Sequence, residues 1–225
     1  MSIFRRHILE SIARGTAPSY ITDGLLFHLD GINKGDTADA WTDLINAIVF
    51  SNYGCTSIDK GLAFYGSSYL LSTTPGWQWW RDNIKTELCT IEIVFKAESL
   101  GDYCLFNPQA EESPSLWIMN NGAKLVYGYY NRRVTYDYNA GIGNQVVSVN
   151  SHSAIQNGQQ LSATTNSSSY TNLGVSIGCR YNGSASYYFN GEIYSIRIYN
   201  RQLTADEMLN NQRVDNARFN LGLDL

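Results

Sequence analysis

The sequence predicts an all-β sandwich with a short N-terminal anchoring segment and a short C-terminal helix. Three observations carry that expectation. Stretches of alternating apolar and polar residues recur at intervals of roughly 8–12 residues, with turn chemistry between them, as in sandwiches and barrels. The 225 residues include 16 Tyr, 8 Phe and 5 Trp alongside 19 Gly. Aromatic side chains suit a pleated, half-buried surface, and glycine suits the turns. The closing stretch 189–208, FNGEIYSIRIYNRQLTADEM, reads as a turn, a half-buried strand and a capped helix in succession.

Taken in order, residues 1–14 read as an amphipathic helix with Ile3, Phe4, Ile8, Leu9 and Ile12 near one face. Gly15 ends it, and residues 16–19 read as a connector, so residues 1–21 form an anchoring segment. A helix this short is marginal alone in water, so its stripe needs a partner. That partner is either its own sandwich or a neighbouring subunit. The sandwich, residues 22–203, opens with a strand bearing Leu25, Phe27 and Leu29 on one face. A polar loop around Trp41 returns into a strand near 47–51, and 61–65 and 68–72 pair around Gly66.

The clearest strand spans 88–96, with Cys89, Ile91, Ile93 and Phe95 on its core face. Strands at 103–107, 116–119, 124–129 and 133–138 follow, with Asn120-Asn121-Gly122 as a hairpin turn. Strands at 145–150 and 159–163 flank a second hairpin turn, Asn157-Gly158, and 162–172 reads as an exposed loop. A strand at 173–179 precedes the Asn182-Gly183 turn. Asn190-Gly191 has the residues of a type I′ turn. Tyr194, Ile196 and Ile198 should then point one way and Ser195, Arg197 and Tyr199 the other. Residues 204–225 form a helix and tail, with Thr204 and Glu207 spaced as a capping box.

A net charge of −4 gives no basic footprint for nucleic acid. No stretch approaches ~18 uninterrupted apolar residues, so no membrane span is expected. Cys55, Cys89, Cys104 and Cys179 lack metal-ligand or redox spacing, and read as reduced structural thiols, with one disulfide as the alternative.

Three segments carry a family resemblance: DGLLFHLDG with the following WTDLIN, LAFYGSSYLLS at 62–72, and the closing stretch. Together they resemble the laminin-G-like, concanavalin A-like jelly-roll domains of the bacterial and bacteriophage branch. The resemblance covers most of residues 22–216 and implies a domain that binds rather than catalyses. The tail 210–223, NNQRVDNARFNLGL, is similar to tails of phage and prophage structural proteins. Such modules normally work outside cells, yet His7, Glu10, Ser11 and Arg14 interrupt any secretory signal after Arg5-Arg6. A virion component, assembled in the host cytoplasm and released by lysis, reconciles the two. Cytoplasmic residence, or export without a cleaved signal, would do so as well. The expected partners are other virion proteins or further copies of this chain, held through the N-terminal segment, and surface polysaccharide.

Catalysis in this superfamily uses acids at alternate strand positions, about 5 Å apart across the sugar. Glu87, Glu92 and Glu98 do not form that ladder, so no catalytic residue is assigned. The resemblance makes calcium a candidate cofactor at the loop rim, with Asp30 and Asp43 as candidate ligands. Trp77, Trp79, Trp80 and Arg81 follow Pro75-Gly76 in an apparent loop. Three indoles so close together cannot all enter one core, and aromatic faces stack on sugars or anchor interfaces. Tyr129, Tyr136 and Tyr138 form a second candidate set, for which sheet packing is the leading reading and ligand or interface contact the alternative. The function expected is a non-enzymatic virion structural protein, such as a capsid decoration, head-fibre or tail-associated subunit, with a lectin-like domain. A stand-alone carbohydrate-binding module of a bacterial surface system is the alternative, and a glycoside-active enzyme the third reading.

Overall fold

The computed structural model describes residues 19–34, 39–72, 79–80, 83–84, 88–107, 115–119, 121–129, 132–139, 141–167, 175–181 and 183–225, with residues 129, 132 and 164–167 as backbone. The expected N-terminal helix, including Ile3, Phe4, Ile8, Leu9 and Ile12, lies outside the described residues.

The chain folds as a concanavalin A-like jelly-roll sandwich of two antiparallel sheets closed by one C-terminal helix. Strands are numbered along the chain. The first sheet runs β14 (Gln159–Gln160), β13 (Ala154–Gln156), β12 (Gly143–Val149), β7 (Thr90–Ala97), β19 (Asn190–Tyr199), β5 (Gly61–Tyr65) and β4 (Thr56–Ile58). β1 (Leu25–Asp30) also pairs with β19, continuing the edge that β5 begins. The second sheet runs β15 (Ala163–Ser167), β11 (Arg132–Asp137), β10 (Lys124–Tyr129), β9 (Ser115–Met119), β8 (Tyr103–Asn107), β16 (Val175–Ile177), β6 (Tyr69–Ser72), β3 (Val49–Tyr53) and β2 (Ala40–Thr42). A separate hairpin joins β17 (Arg180–Tyr181) to β18 (Ala185–Ser186).

Alternation fills the space between the sheets. Cys89, Ile91, Ile93 and Phe95 enter from β7 and its entry, as expected, and meet Leu116, Ile118, Leu125 and Tyr127 from β9 and β10. Each fully buried aliphatic side chain is worth roughly 1.5–3 kcal/mol, so this layer dominates the fold's stability. All four cysteines are buried, and none is in a disulfide.

The expected turns form where both residues adopt positive φ: Asn121 (51°) with Gly122 (88°), and Asn157 (47°) with Gly158 (77°). The second turn joins β13 to β14, not the 145–150 strand to 159–163, because a strand at 154–156 intervenes. Asn190-Gly191 forms no such turn. It opens the central strand, and the carbonyl of Lys96 lies 2.1 Å from where a Cβ on Gly191 would sit. Tertiary packing, not a turn, is what requires that glycine.

Three further expectations are corrected. The segments expected to pair around Gly66, β5 and β6, lie in different sheets, β5 between β19 and β4 and β6 between β16 and β3. A register shift between Ile193 and Ser195 sends Ile193, Ile196 and Ile198 into the core and Tyr194 to the opposite face, beside Phe219. An extra residue in a strand breaks the period of two in this way. Much of the stretch read as a loop at 162–172 is the edge strand β15, paired with β11.

The helix, α1 (Ala205–Phe219), starts with the expected box: Thr204 accepts from the Glu207 amide, and the Glu207 carboxylate accepts from the Thr204 amide. Its inner face, Met208, Asn211, Gln212, Asp215 and Phe219, covers the outer face of the first sheet. Residues 19–21 lie against it. Tyr20 donates to Asp215 at 2.8 Å, the Ile21 amide donates to Asn211, and Asn210 donates to the Ser19 carbonyl. One outer face of the sandwich is thus closed by helix and strap. No helix described is long and apolar enough to cross a membrane.

Candidate functional site

The outer face of the second sheet is covered by no helix among the described residues, and aromatic side chains gather there. In β3 and β6, Phe50 and Leu70 face the core, so alternation turns Tyr53 and Tyr69 outward at paired positions. Their rings stack at 4.8 Å with an interplanar angle of 2°. The β17–β18 hairpin and the residues after it bring two more rings, Tyr181 at 6.1 Å and Tyr188 at 6.2 Å from Tyr69. Burial, followed by the neighbouring Tyr181, raises the Tyr69 phenol above its ordinary value, so it stays a neutral donor.

The same hairpin reaches over β9 and β10. Trp117 and Met119 from β9 and Val126 from β10 line a cavity of about 70 Å³, together with Ser115, Arg180 and Tyr187. Tyr187 sits edge-on to Trp117 at 5.6 Å and is 44% exposed. Its φ is 51°, a strained value for a bulky residue. The sheet holds it there, because its carbonyl accepts from the Cys104 amide at 3.0 Å. Strain of this kind concentrates at functional sites. Exposed and half-buried ring faces can stack on the C–H faces of sugars, and their hydroxyls can bond to sugar hydroxyls.

The residues singled out from the sequence are distributed differently. Trp80 is fully buried between Phe27 (5.0 Å) and Phe106 (5.3 Å) and is corrected from candidate contact to core residue. Trp79 is partly buried and packs edge-on against Trp80 at 5.2 Å. Trp77 and Arg81 lie outside the described residues, as does the side chain of Tyr129. Tyr136 and Tyr138 pack in the core, in line with the leading expectation for that set, and the Tyr136 hydroxyl donates to the Asn150 carbonyl. No sequence signal joined Tyr53, Tyr69, Tyr181 and Tyr188, because they come from three distant segments.

Asp30 and Asp43 are corrected from candidate calcium ligands to structural carboxylates. Asp30 accepts from the Ile32 and Asn33 amides and from Arg218 at 2.7–2.8 Å. Asp43 accepts from the amides of His28, Ile45 and Asn46. Both are almost wholly buried, and no metal-ligating group of three converges among the described residues.

Two sets of acids meet elsewhere. Glu92 and Asp215 share Arg197, and all three are sealed under α1. Burial pushes the Glu92 carboxyl up, opposed by Arg197. Glu98 and Glu192 share Lys96 beside an open groove of about 620 Å³ that also touches Asp59, Lys60 and Tyr194. There the Lys96 ammonium bridges the two carboxylates. Glu87 lies outside the described residues.

No family model matches the sequence, and no curated protein matches it. Solved structures share the fold. A sialidase of Trypanosoma rangeli, solved in complex with sialic acid, superposes with a TM-score of 0.61 at 14% identity, over 94% of this chain and 36% of that one. A botulinum neurotoxin type C structure, of a toxin whose cell entry depends on two ganglioside molecules, gives 0.57 at 12% identity, over 84% and 51%. The chain therefore spans about a third to a half of these neighbours, and what is shared at such identities is a lectin-like β-sandwich.

Proposed function

We propose that this chain is a non-enzymatic carbohydrate-recognition domain that binds glycans through the tyrosine face of its second sheet. The observation that carries the reading is the gathering of Tyr53, Tyr69, Tyr181 and Tyr188 beside Trp117 and Tyr187, on the sheet face opposite the helix. The fold it shares with a sialidase and a ganglioside-dependent toxin supports the reading, as does the laminin-G-like pattern of the closing segment. The reading leaves catalysis out: Glu92 and Asp215 are buried against Arg197, and Lys96 bridges Glu98 and Glu192.

A glycan array with the wild type and a Tyr53→Ala/Tyr69→Ala double variant tests this. Each stacked ring is worth about 1 kcal/mol, so the variant should lose about tenfold or more in affinity. A folded variant that keeps the wild-type signal removes the tyrosine face, and a wild type that binds no glycan removes the function.

A second reading adds a setting, the phage virion, in which residues 1–18 anchor the domain to other virion proteins or to further copies. The strap at 19–21 docks on the helix side, away from the tyrosines, and this reading takes it as the point where an anchor would enter. Mass spectrometry of purified particles tests it, and absence of the chain from them ends it.

A further inference from the structure

The cavity beneath Tyr187 has a size and lining that select a particular substituent. Core-facing Leu116, Ile118, Leu125 and Tyr127 leave Ser115, Trp117 and Met119 of β9, and Val126 and Gly128 of β10, on the outer face. Register places Trp117 opposite Val126 and Ser115 opposite Gly128. Arg180 and Tyr187 close the cavity from above. The lining is therefore mostly apolar, with one hydroxyl in the floor, from Ser115, and one guanidinium in the roof, from Arg180.

By the same measure a single water needs roughly 10–15 Å³, so a cavity of about 70 Å³ admits a small branched substituent and not a pyranose ring. Gly128 keeps the space open. A Cβ there would stand 2.7 Å from the Ser115 Oγ, and a hydroxyl that must rotate away is lost to any ligand.

We infer that this cavity receives the acetamido group of an N-acetylated amino sugar, while the ring of that sugar lies on the neighbouring tyrosines. The methyl packs on Trp117, Met119 and Val126. The amide N–H donates to the Ser115 Oγ, and the carbonyl oxygen accepts from Arg180. A bare hydroxyl would leave Trp117, Met119 and Val126 uncovered, and a carboxylate could pair with Arg180 but would bring no methyl to those three side chains. The inference rests on the carbohydrate reading and narrows its ligand class.

The test compares chito-oligosaccharides with cello-oligosaccharides of equal length, which differ by acetamido against hydroxyl, by titration calorimetry on the full chain. The wild type should favour the acetylated series by about tenfold. Gly128→Ala, checked for folding by its thermal melt, should bring the two series within about twofold without weakening the cello-oligosaccharide. Ser115→Ala, which removes the hydroxyl without adding bulk, should also erode the preference and serves if Gly128→Ala does not fold. Equal binding of both series, lost in the Tyr53→Ala/Tyr69→Ala variant, would overturn the acetamido assignment and leave carbohydrate recognition standing. A preference that survives the folded cavity variants would place the acetamido group elsewhere. If neither these series nor any arrayed glycan binds the wild type, both readings fail together.

Discussion

Arg197 carries a charge into the seam between sheet and helix, and the neighbouring residues are arranged around it. Its guanidinium bonds Glu92 at 2.9 Å and grips Asp215 with both terminal nitrogens, while the Tyr20 ring lies 4.2 Å away. Burial acts to lower its pKa, but Asp215 and Glu92 outweigh it and keep it charged. His28, the β1 neighbour of Arg197, shows the cost of that charge. Burial, then Arg197, lowers His28 from 6.5 to about 3, with Asp30 opposing. Below pH 6.5 the unfolded chain binds a proton at this site that the folded chain refuses. Stability is therefore full above that pH and is lost as pH falls toward 3. This group should remove about 2 kcal/mol between pH 7 and 4.5 in urea unfolding. His28→Gln should flatten the dependence, and an unchanged slope would show that the carboxylates alone set it.

Among the elements, β19 organises the molecule, since β7, β5 and β1 all pair with it. Its register shift at Tyr194 divides its labour. Three isoleucines fill the core, while Tyr194, Arg197 and Tyr199 build the surface on which α1 rests. Gly191 allows β7 to approach closely enough to pair. Gly191→Ala should therefore cost about 3 kcal/mol or more in chemical denaturation. Gly66→Ala, at φ 71° with nothing within 4 Å, should cost only about 1 kcal/mol. Similar losses at both sites would mean that backbone conformation, not the approach of Lys96, requires Gly191.

At the scale of the whole molecule the two outer faces have different work. Helix and strap close one, and the tyrosine cluster occupies the other. If residues 1–18 serve a partner, deleting them should leave the thermal midpoint within about 2 °C of the wild type. Deleting 1–21 should cost about 2–3 kcal/mol, because the Tyr20 ring leaves Arg197 and its hydroxyl leaves Asp215. An equal loss on removing 1–18 alone would show that the segment docks on its own sandwich.

What the sequence determined by itself was local. Alternation located β7, β8, β9 and β10, paired Asn-Gly dipeptides marked two hairpins, and Thr204 with Glu207 marked the start of α1. Those signals act over a few residues, so they survive without knowledge of the rest of the chain. Tertiary structure decided everything that depends on distant segments meeting. It turned Asn190-Gly191 from a turn into the start of a strand, moved Tyr194 to the far face, and drew Trp80 into the core. It also assembled the tyrosine face from β3, β6 and the 180–188 segment. Which aromatic side chains reach solvent depends on which strands become neighbours, and pairing between distant strands leaves no period in the sequence to read.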